Sequence, residues 1–207
     1  MYTVSKIDSK DTYYYLLNIH YAKRIPSISY AYGLFDDDYL VGVICYGTPA
    51  SSPLRTGIAG KENAHRVLEL NRLCLLDNKK NEASILISKS ILLLPHGCII
   101  VSYADSSQNH IGTVYQATNF IYTGLSAKRT DYKVKGLEHI HTQTLIDKFR
   151  HHDNRTKAMR DFYGDNFYVV DRPRKHRYVY ITGSKTMKKK LKMQLKYKIE
   201  NYPKNVL

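Results

Sequence analysis

Residues 67–125 read VLELNRLCLLDNKKNEASILISKSILLLPHGCIIVSYADSSQNHIGTVYQATNFIYTGL, and their rhythm decides the fold. Residues 67–76 are apolar apart from Glu69, Asn71 and Arg72, the pattern of a strand. A polar loop follows at 77–81. Residues 82–94 then read as a helix, stopped by Pro95, which lacks a backbone N–H, and by Gly97. The short run 98–103 is nearly all apolar, as expected of a strand covered on both faces. In 110–119 Ile111, Val114, Tyr115 and Thr118 recur at helical spacing, and 120–125 returns as a strand. A β-α-β-α-β order of about sixty residues implies right-handed crossovers and a central, partly parallel sheet, so the fold class is α/β, a central mixed sheet flanked by helices.

Working outward, residues 11–24 carry Tyr14, Leu17 and Tyr21 at helical spacing, with Asp11 or Thr12 to cap the start and Lys23 and Arg24 to suit the end. Residues 28–34 and 39–47 read as a hairpin turning at Asp36, Asp37 and Asp38. The stretch from Pro49 to Gly60 is rich in Gly, Ser and Pro and reads as a long irregular loop. Beyond Ser126 the chain is polar and basic. Two short helices are expected, at 142–149 and 156–163. Strands at 167–170 and 178–182 then flank the turn DRPRKH, and a basic helix at 185–197 carries Met187, Leu191 and Leu195 on one stripe. The expected organisation is a core over 1–126. Residues 127–207 then form a basic insertion, a closing hairpin and a lysine-rich helix that complete the same domain.

The chain has 207 residues, 43% of them hydrophobic, enough for a core without staples. Its net charge of +14 is uneven. Residues 1–100 carry 11 Lys and Arg against 9 Asp and Glu, whereas 101–207 carry 21 against 9. Between Arg172 and Ile199 there are eleven cations and no acid. Such a surface attracts a polyanion, with affinity falling as salt rises. A soluble basic surface or a membrane-surface helix would give the same composition. The longest apolar run, 85–94, is broken by Ser88, Lys89 and Ser90, so no membrane span is expected. No basic flank precedes an apolar run at the N-terminus, so no signal peptide is expected. Cys45, Cys74 and Cys98 are odd in number and form no CxxC pair, which reads as reduced core thiols in a cytosol.

Nucleotide-loop and zinc-protease motifs are absent, as is any zinc-spaced Cys/His set. His139, His141, His151 and His152 cluster in the basic half and read as structural or DNA-facing side chains. No metal ligand set is legible. The loop before the second element of the 67–125 stretch offers Lys79, Lys80 and Asn81, followed by Ala83 and Ser84. Unpaired amides at a helix start, with two lysines beside them, favour an anion; a lysine-bearing surface loop is the plainer reading.

This core resembles the acyl-CoA-binding core of the GNAT fold, although the loop at 77–81 lacks the glycines usual there. A longer pattern is more specific. Ser102-Tyr103-Ala104-Asp105, His110-x-Gly112 and Val114-Tyr115-Gln116-Ala117-Thr118-Asn119-Phe120 resemble the Mom family. So do Leu70-Asn71-Arg72-Leu73 upstream and the Arg174–Tyr180 block with its lysine helix downstream. The resemblance spans roughly 40–204. It implies a phage enzyme that converts adenine in double-stranded DNA to a carbamoylmethyl derivative, shielding the DNA from host restriction, in the bacterial cytoplasm during infection. Acetyl-CoA or a related acyl donor is implied. Acetyl-CoA supplies two carbons and no amide nitrogen, so a second source or an unusual donor is also required.

The resemblance places a catalytic Asp at Asp105, a Tyr ten residues on at Tyr115, and a Ser at Ser90. At the end of a central strand Asp105 is where α/β sheets place ligands. A carboxylate and a phenol on one cleft could act as base and acid toward an amine and its leaving group. The structural alternatives are a turn or cap for Asp105, a core ring for Tyr115 and a satisfied helix hydroxyl for Ser90. Tyr46, at a strand end, is a further candidate on the acceptor side. Arg72 could bind a phosphate or carboxylate, or pair with Glu69 or Asp105. His110 could orient the Asp105 loop. Arg172, Arg174, Lys175, Arg177, Lys185, Lys188, Lys189, Lys190 and Lys192 are natural phosphate contacts. Adenine's amine is paired inside the duplex, so the base would have to flip, and with 19 Tyr and no Trp a tyrosine would stack on it. The rival readings are an N-acetyltransferase for a small amine or protein, and a non-catalytic DNA-binding protein.

Overall fold

In the computed structural model, the large sheet is built from β1 (Tyr2–Lys6), β2 (Tyr30–Asp36), β3 (Tyr39–Gly47), β4 (Val67–Leu75), β5 (Ile99–Asp105), β6 (Ile121–Leu125) and β9 (Lys175–Ile181). The strand order is β1-β2-β3-β4-β5-β9-β6. The structure describes residues 1–49, 51–108, 110–140 and 142–204. They divide into two units, Met1–Leu125 with Lys175–Leu207, and Ser126–Arg174.

The α/β class with a central mixed sheet flanked by helices agrees with the sequence reading. The parallel share is smaller than expected: β4 and β5 pair in parallel, and every other pair in the sheet is antiparallel. The reason is β9, which enters between β5 and β6 and separates the two strands that the helical crossover would have made neighbours.

Period-two alternation gives the sheet two unlike faces. Ile44, Tyr46, Leu70, Ile100 and Ala104 point to one side, where α2 (Glu82–Leu93) and α3 (Thr113–Ala117) cover them with Leu86, Ile87, Ile91 and Tyr115. Each such aliphatic side chain contributes about 1.5–3 kcal/mol by leaving water. Val67, Ile99, Val101, Val179 and Ile181 point to the other side, against Ile58 and Ala59 of α1 (Ser52–Asn63) and Leu191 of α6 (Lys185–Met193). On that side Tyr15 and Leu16 also cover Val43, Cys45 and Cys74. The three cysteines are free thiols.

Several elements differ from the sequence reading. The stretch read as an irregular loop after Pro49 is largely α1: Pro53 sits in its first turn, where a missing N–H costs nothing, and Ile58 and Ala59 are buried. Gly60, at φ +76°, kinks it. The N-terminal helix is short, a 3₁₀ turn at Ser9–Thr12 and a π-turn at Tyr15–Ile19. The helix expected at 110–119 shrinks to α3 because Gly112 takes φ +82° just before it. Its missing Cβ leaves room for the buried Tyr178 ring: a Cβ there would stand 2.4 Å from a ring carbon.

In the Ser126–Arg174 unit, β7 (Arg129–Val134) pairs antiparallel with β8 (Phe167–Arg172). Beside them lie α4 (Thr142–Asp147) and α5 (Arg155–Tyr163), around Val134, Leu145, Phe149 and Met159. The expected hairpin between the strands flanking DRPRKH does not form. β8 pairs with β7, and β9 joins the large sheet, so the turn links two sheets. β7 was not read from the sequence, since its residues are mostly polar and half exposed.

Among the described residues no helix is long and apolar enough to cross a membrane. Among them, too, no group of His, Cys, Asp and Glu is arranged to hold a metal ion. Of the histidine cluster, His141 lies outside the described residues; His151 and His152 line an open cleft of about 610 Å³ with Arg150 and Arg155.

Candidate active site at the parting of two strands

The site follows from an irregularity in β4. On its β3 side Cys45 faces Arg72 while Tyr46 faces Leu70, so Asn71 is an extra residue, a bulge. Bulges bend a strand and end its pairing. On its other side β4 pairs with β5 over three rungs, the last being Glu69 with Val101. Beyond it β4 runs on to Leu75 and β5 to Asp105 without pairing to each other. The parting opens a gap between two strand edges. The Ser102 hydroxyl donates to the Leu70 carbonyl (3.1 Å) just past the last rung.

On the α2/α3 side stands Tyr115. Its ring packs against Phe120 and Tyr178, each 5.3 Å between centroids. Burial pushes its phenol pKa up to about 12, against a hydrogen bond with the Ser102 hydroxyl. Tyr46 and Ser90 share this side, their hydroxyls 2.7 Å apart and buried. The Ser90 hydroxyl also reaches the Ile87 carbonyl (3.1 Å). Burial likewise raises the Tyr46 phenol pKa.

Asp105 belongs to the opposite side, two residues beyond Tyr103, which packs with Ile99 and Val101. Its Oδ2 lies 2.6 Å from the Lys175 ammonium. Its Oδ1 accepts from the Ser107 amide (3.0 Å) and hydroxyl (2.7 Å). Partial burial works upward, but the hydrogen bonds and charge of Lys175 and Ser107 prevail and hold the carboxyl below its ordinary range. The structure therefore places Asp105 and Tyr115 on the two sides of the sheet, rather than on one wall of a cleft. The strand gap is the opening they flank.

Glu69 stands at the last rung. Burial raises its pKa above the ordinary glutamate value, opposed by the charges of Arg72 and Lys175. Its own charge acts in turn on the Tyr115 phenol. Sequence reasoning noted Glu69 only as a polar break in a strand. An acid in the middle of an apolar strand was the signal available.

Arg72 is neither a free anion binder nor a partner of Asp105. Its guanidinium donates to the Asn71 carbonyl (2.6 Å) and to the Arg24 carbonyl (3.4 and 3.3 Å). It thereby ties the 20–24 loop to the bulge. In that loop Tyr21, 65% exposed, stacks on His20 at 4.5 Å and 27°. Burial and the Arg72 charge lower the His20 pKa to about 4. The Asn71 side-chain amide donates to the Ser27 carbonyl (2.8 Å), while its side-chain Oδ1 is buried without a partner among the described residues. His110 is exposed; its backbone N–H donates to the Asp105 carbonyl (3.2 Å).

At the start of α2 a buried carboxylate was missed. Glu82, 1% exposed, accepts from the Lys79 amide (2.7 Å) and from the Tyr2 hydroxyl (2.7 Å). The Ser84 hydroxyl donates to the Asn81 carbonyl (2.9 Å), and Asn81 itself takes φ +69°. Glu82 thus ties the 79–82 turn to β1. Lys79 and Lys80 project into solvent.

Of the expected phosphate contacts, two are withdrawn. Arg177 is 6% exposed, donates to the Thr123 hydroxyl (3.0 Å) and carbonyl (2.6 Å), and lies 3.3 Å above the Tyr197 ring. Arg172 is ion-paired with Asp131, its Nε 2.8 Å from the carboxylate. Arg174 Nε donates to the Ser126 carbonyl (2.6 Å). Lys185, Lys189, Lys190 and Lys192 are exposed on α6, and Lys188 reaches the Tyr180 ring. α6 follows the Ile181 end of β9, opposite Ile99, whereas Lys175 at its other end faces Asp105. The lysine helix therefore starts a strand length, roughly 20 Å, from the Asp105 end.

Comparison with known proteins is decisive at this point: the Mom protein family matches residues 1–204. The chain belongs to the Mom family. It is 30% identical over 191 residues to the methylcarbamoylase mom of Escherichia phage Mu, covering 89% of this chain and 76% of that protein. Among solved structures this Mom-family chain is similar to a GNAT-family acetyltransferase from Bacillus cereus, at 15% identity and a TM-score of 0.46, over 89% of this chain and 99% of that one. It is also similar to an acetyltransferase from Salmonella typhimurium solved with its cofactor acetyl-CoA, at 9% identity and a TM-score of 0.47, over 89% and 95%. These structural likenesses are loose, and the strand order above describes this chain's fold without them.

Proposed function

We propose that this Mom-family protein transfers an acyl-derived, carbamoylmethyl-type group to the exocyclic amine of adenine in double-stranded phage DNA, protecting it from host restriction. The observation that carries the reading is the parting of β4 and β5, with a buried phenol on one side and acids on the other, in a chain of this family.

An acyl-CoA-type donor suits the residues present. Two unpaired strand edges offer N–H and C=O groups to an extended, amide-bearing chain, as any open edge does. Lys79 and Lys80, with the first-turn amides of α2 at Ala83 and Ser84, offer charge and donors to its phosphates. The Lys79 amide is already committed to Glu82, so this cradle works through lysine charge more than a full ring of amides. When bound, the donor would supply an activated carbon and its leaving group. The protein's part is to hold the amine at the gap, exclude water and manage protons. Tyr115, kept neutral by burial, is placed to give a proton to a leaving group. Asp105, Ser90 and Tyr46 complete the site, the last two by fixing the α2 side of the gap.

The adenine must leave the stack to reach the gap, at a cost of a few kcal/mol. Tyr21, exposed and tied to β4 through Arg72, is a surface for it to stack on. Exposed lysines of α6 would meet phosphates roughly 20 Å away, about six base pairs along a duplex.

The test is the mass of nucleosides released from DNA of cells expressing the protein. A heavier deoxyadenosine supports the reading. Unmodified DNA together with acetylated protein or small amines supports an ordinary acetyltransferase instead.

A further inference from the structure

The obvious base at this site is Asp105, but both of its carboxylate oxygens already have partners. Ser107 donates twice to Oδ1 and Lys175 sits on Oδ2. Accepting a proton would weaken that ion pair and those hydrogen bonds, and a carboxylate so stabilised is a weaker base. Glu69 is in the reverse condition. It stands where the two edges separate, at the last shared rung with Val101. Its carboxylate accepts no hydrogen bond among the described residues, and burial makes it the more basic of the two. The charged and titratable groups acting on it come from three elements: Arg72 on its own strand, Lys175 on β9 and Tyr115 on α3. The two cations oppose the effect of burial, which still prevails; the phenol stands on the other side of the gap.

We propose that Glu69, at the point where β4 and β5 part, is the catalytic residue that takes the proton from the attacking adenine amine, and that Asp105 is a positioning residue that holds Lys175. The inference rests on the DNA-adenine reading above. As the nitrogen lone pair forms the new N–C bond, one N–H bond breaks. Its electron pair stays on nitrogen, and the proton passes to a Glu69 oxygen. The leaving group sits on the donor carbon under attack; it departs with the pair of the bond it loses and takes up the Tyr115 phenol proton, so the donor is one that already carries its leaving group on the carbon that becomes bound to nitrogen. Charge and atoms balance without an oxidant or reductant.

The experiment uses the purified full chain, plasmid DNA and a cell lysate as the source of donor, scored by the mass of released deoxyadenosine. Glu69→Gln is expected to lower the yield by at least about a hundredfold, as loss of a general base does. Its DNA affinity and thermal midpoint should stay those of the parent. Glu69→Asp should recover part of the yield. Asp105→Asn should retain more yield than Glu69→Gln. Yield from Glu69→Gln equal to that of the parent, or an Asp105→Asn loss deeper than the Glu69→Gln loss, overturns the assignment. So does loss of DNA binding or of the folded state in Glu69→Gln that Glu69→Asp fails to repair. If the parent chain itself leaves deoxyadenosine unaltered, the underlying reading fails, not the choice of base.

Discussion

Lys175 and Asp105 are register partners on β9 and β5, and their side chains close to 2.6 Å at the open end of the sheet. The pairing joins the strand that arrives last in the chain to the strand that ends in Asp105, and so sets a cation from the distal half of the sequence at the candidate site.

Removing that cation tests its contribution. Asp105 has a folded-state pKa held below its ordinary value, so the stabilisation is present above the unfolded pKa and is lost as pH falls through the folded one. Lys175→Met should therefore cost about 1 kcal/mol near neutrality, the lysine end being partly solvated. The gap between variant and parent should close as pH drops below about 4, the ordinary aspartate range. Urea melts at several pH values read this directly.

The Tyr46–Ser90 pair is buried, so breaking one side is worse than removing both. Ser90→Ala leaves the Tyr46 hydroxyl without its partner and should destabilise by about 1–3 kcal/mol. Tyr46→Phe should cost less, since the Ser90 hydroxyl keeps the Ile87 carbonyl. Adding Tyr46→Phe to Ser90→Ala should restore part of the loss, and a double-mutant cycle of denaturant midpoints measures the coupling.

Gly112→Ala meets both an unfavourable φ of +82° and the fixed Tyr178 ring. Strain of this kind, with a ring that cannot yield, should cost upward of about 2 kcal/mol. Thermal melting relative to the parent checks it.

Cations on α6 and the buried Arg177 should behave oppositely toward DNA. Lys189→Ala or Lys190→Ala should each weaken duplex binding and lower the salt slope by about 1, the value for one phosphate neutralised. Arg177→Ala should leave the slope unchanged and instead cost about 3–5 kcal/mol of stability, because Thr123 and Tyr197 lose a buried partner. Affinity measured across a salt series, beside melting curves, distinguishes the two.

The local rhythm of 67–125 was legible because its strands and helices announce themselves by period and by Pro95 and Gly97. What it could not reveal was long-range. β9 inserts between β5 and β6 from fifty residues downstream of β6, a pairing that no local pattern encodes. The fate of Arg172 and Arg177 is of the same kind: a run of cations reads as surface until Asp131, Thr123 and Tyr197 are brought against it. α1 was hidden by a composition of Gly, Ser and Pro, and became a helix because the sheet needed Ile58 and Ala59. Asp105, Tyr115 and Ser90 were singled out through a motif, and the motif carried no information about sides of a sheet. Glu69 and Glu82 were missed because a lone acid in an apolar strand, or at a helix start, looks the same whether it is solvated or buried. The donor's full identity was equally beyond what residue types alone convey.

The central claim is that this protein alters adenine in duplex DNA, and mass spectrometry of nucleosides from plasmid DNA tests it most directly. DNA from cells expressing the parent chain should release a heavier deoxyadenosine, with the other three nucleosides unchanged and the new species gone in Tyr115→Phe. Plasmid whose deoxyadenosine keeps its ordinary mass, despite well-folded and abundant protein, would contradict the account.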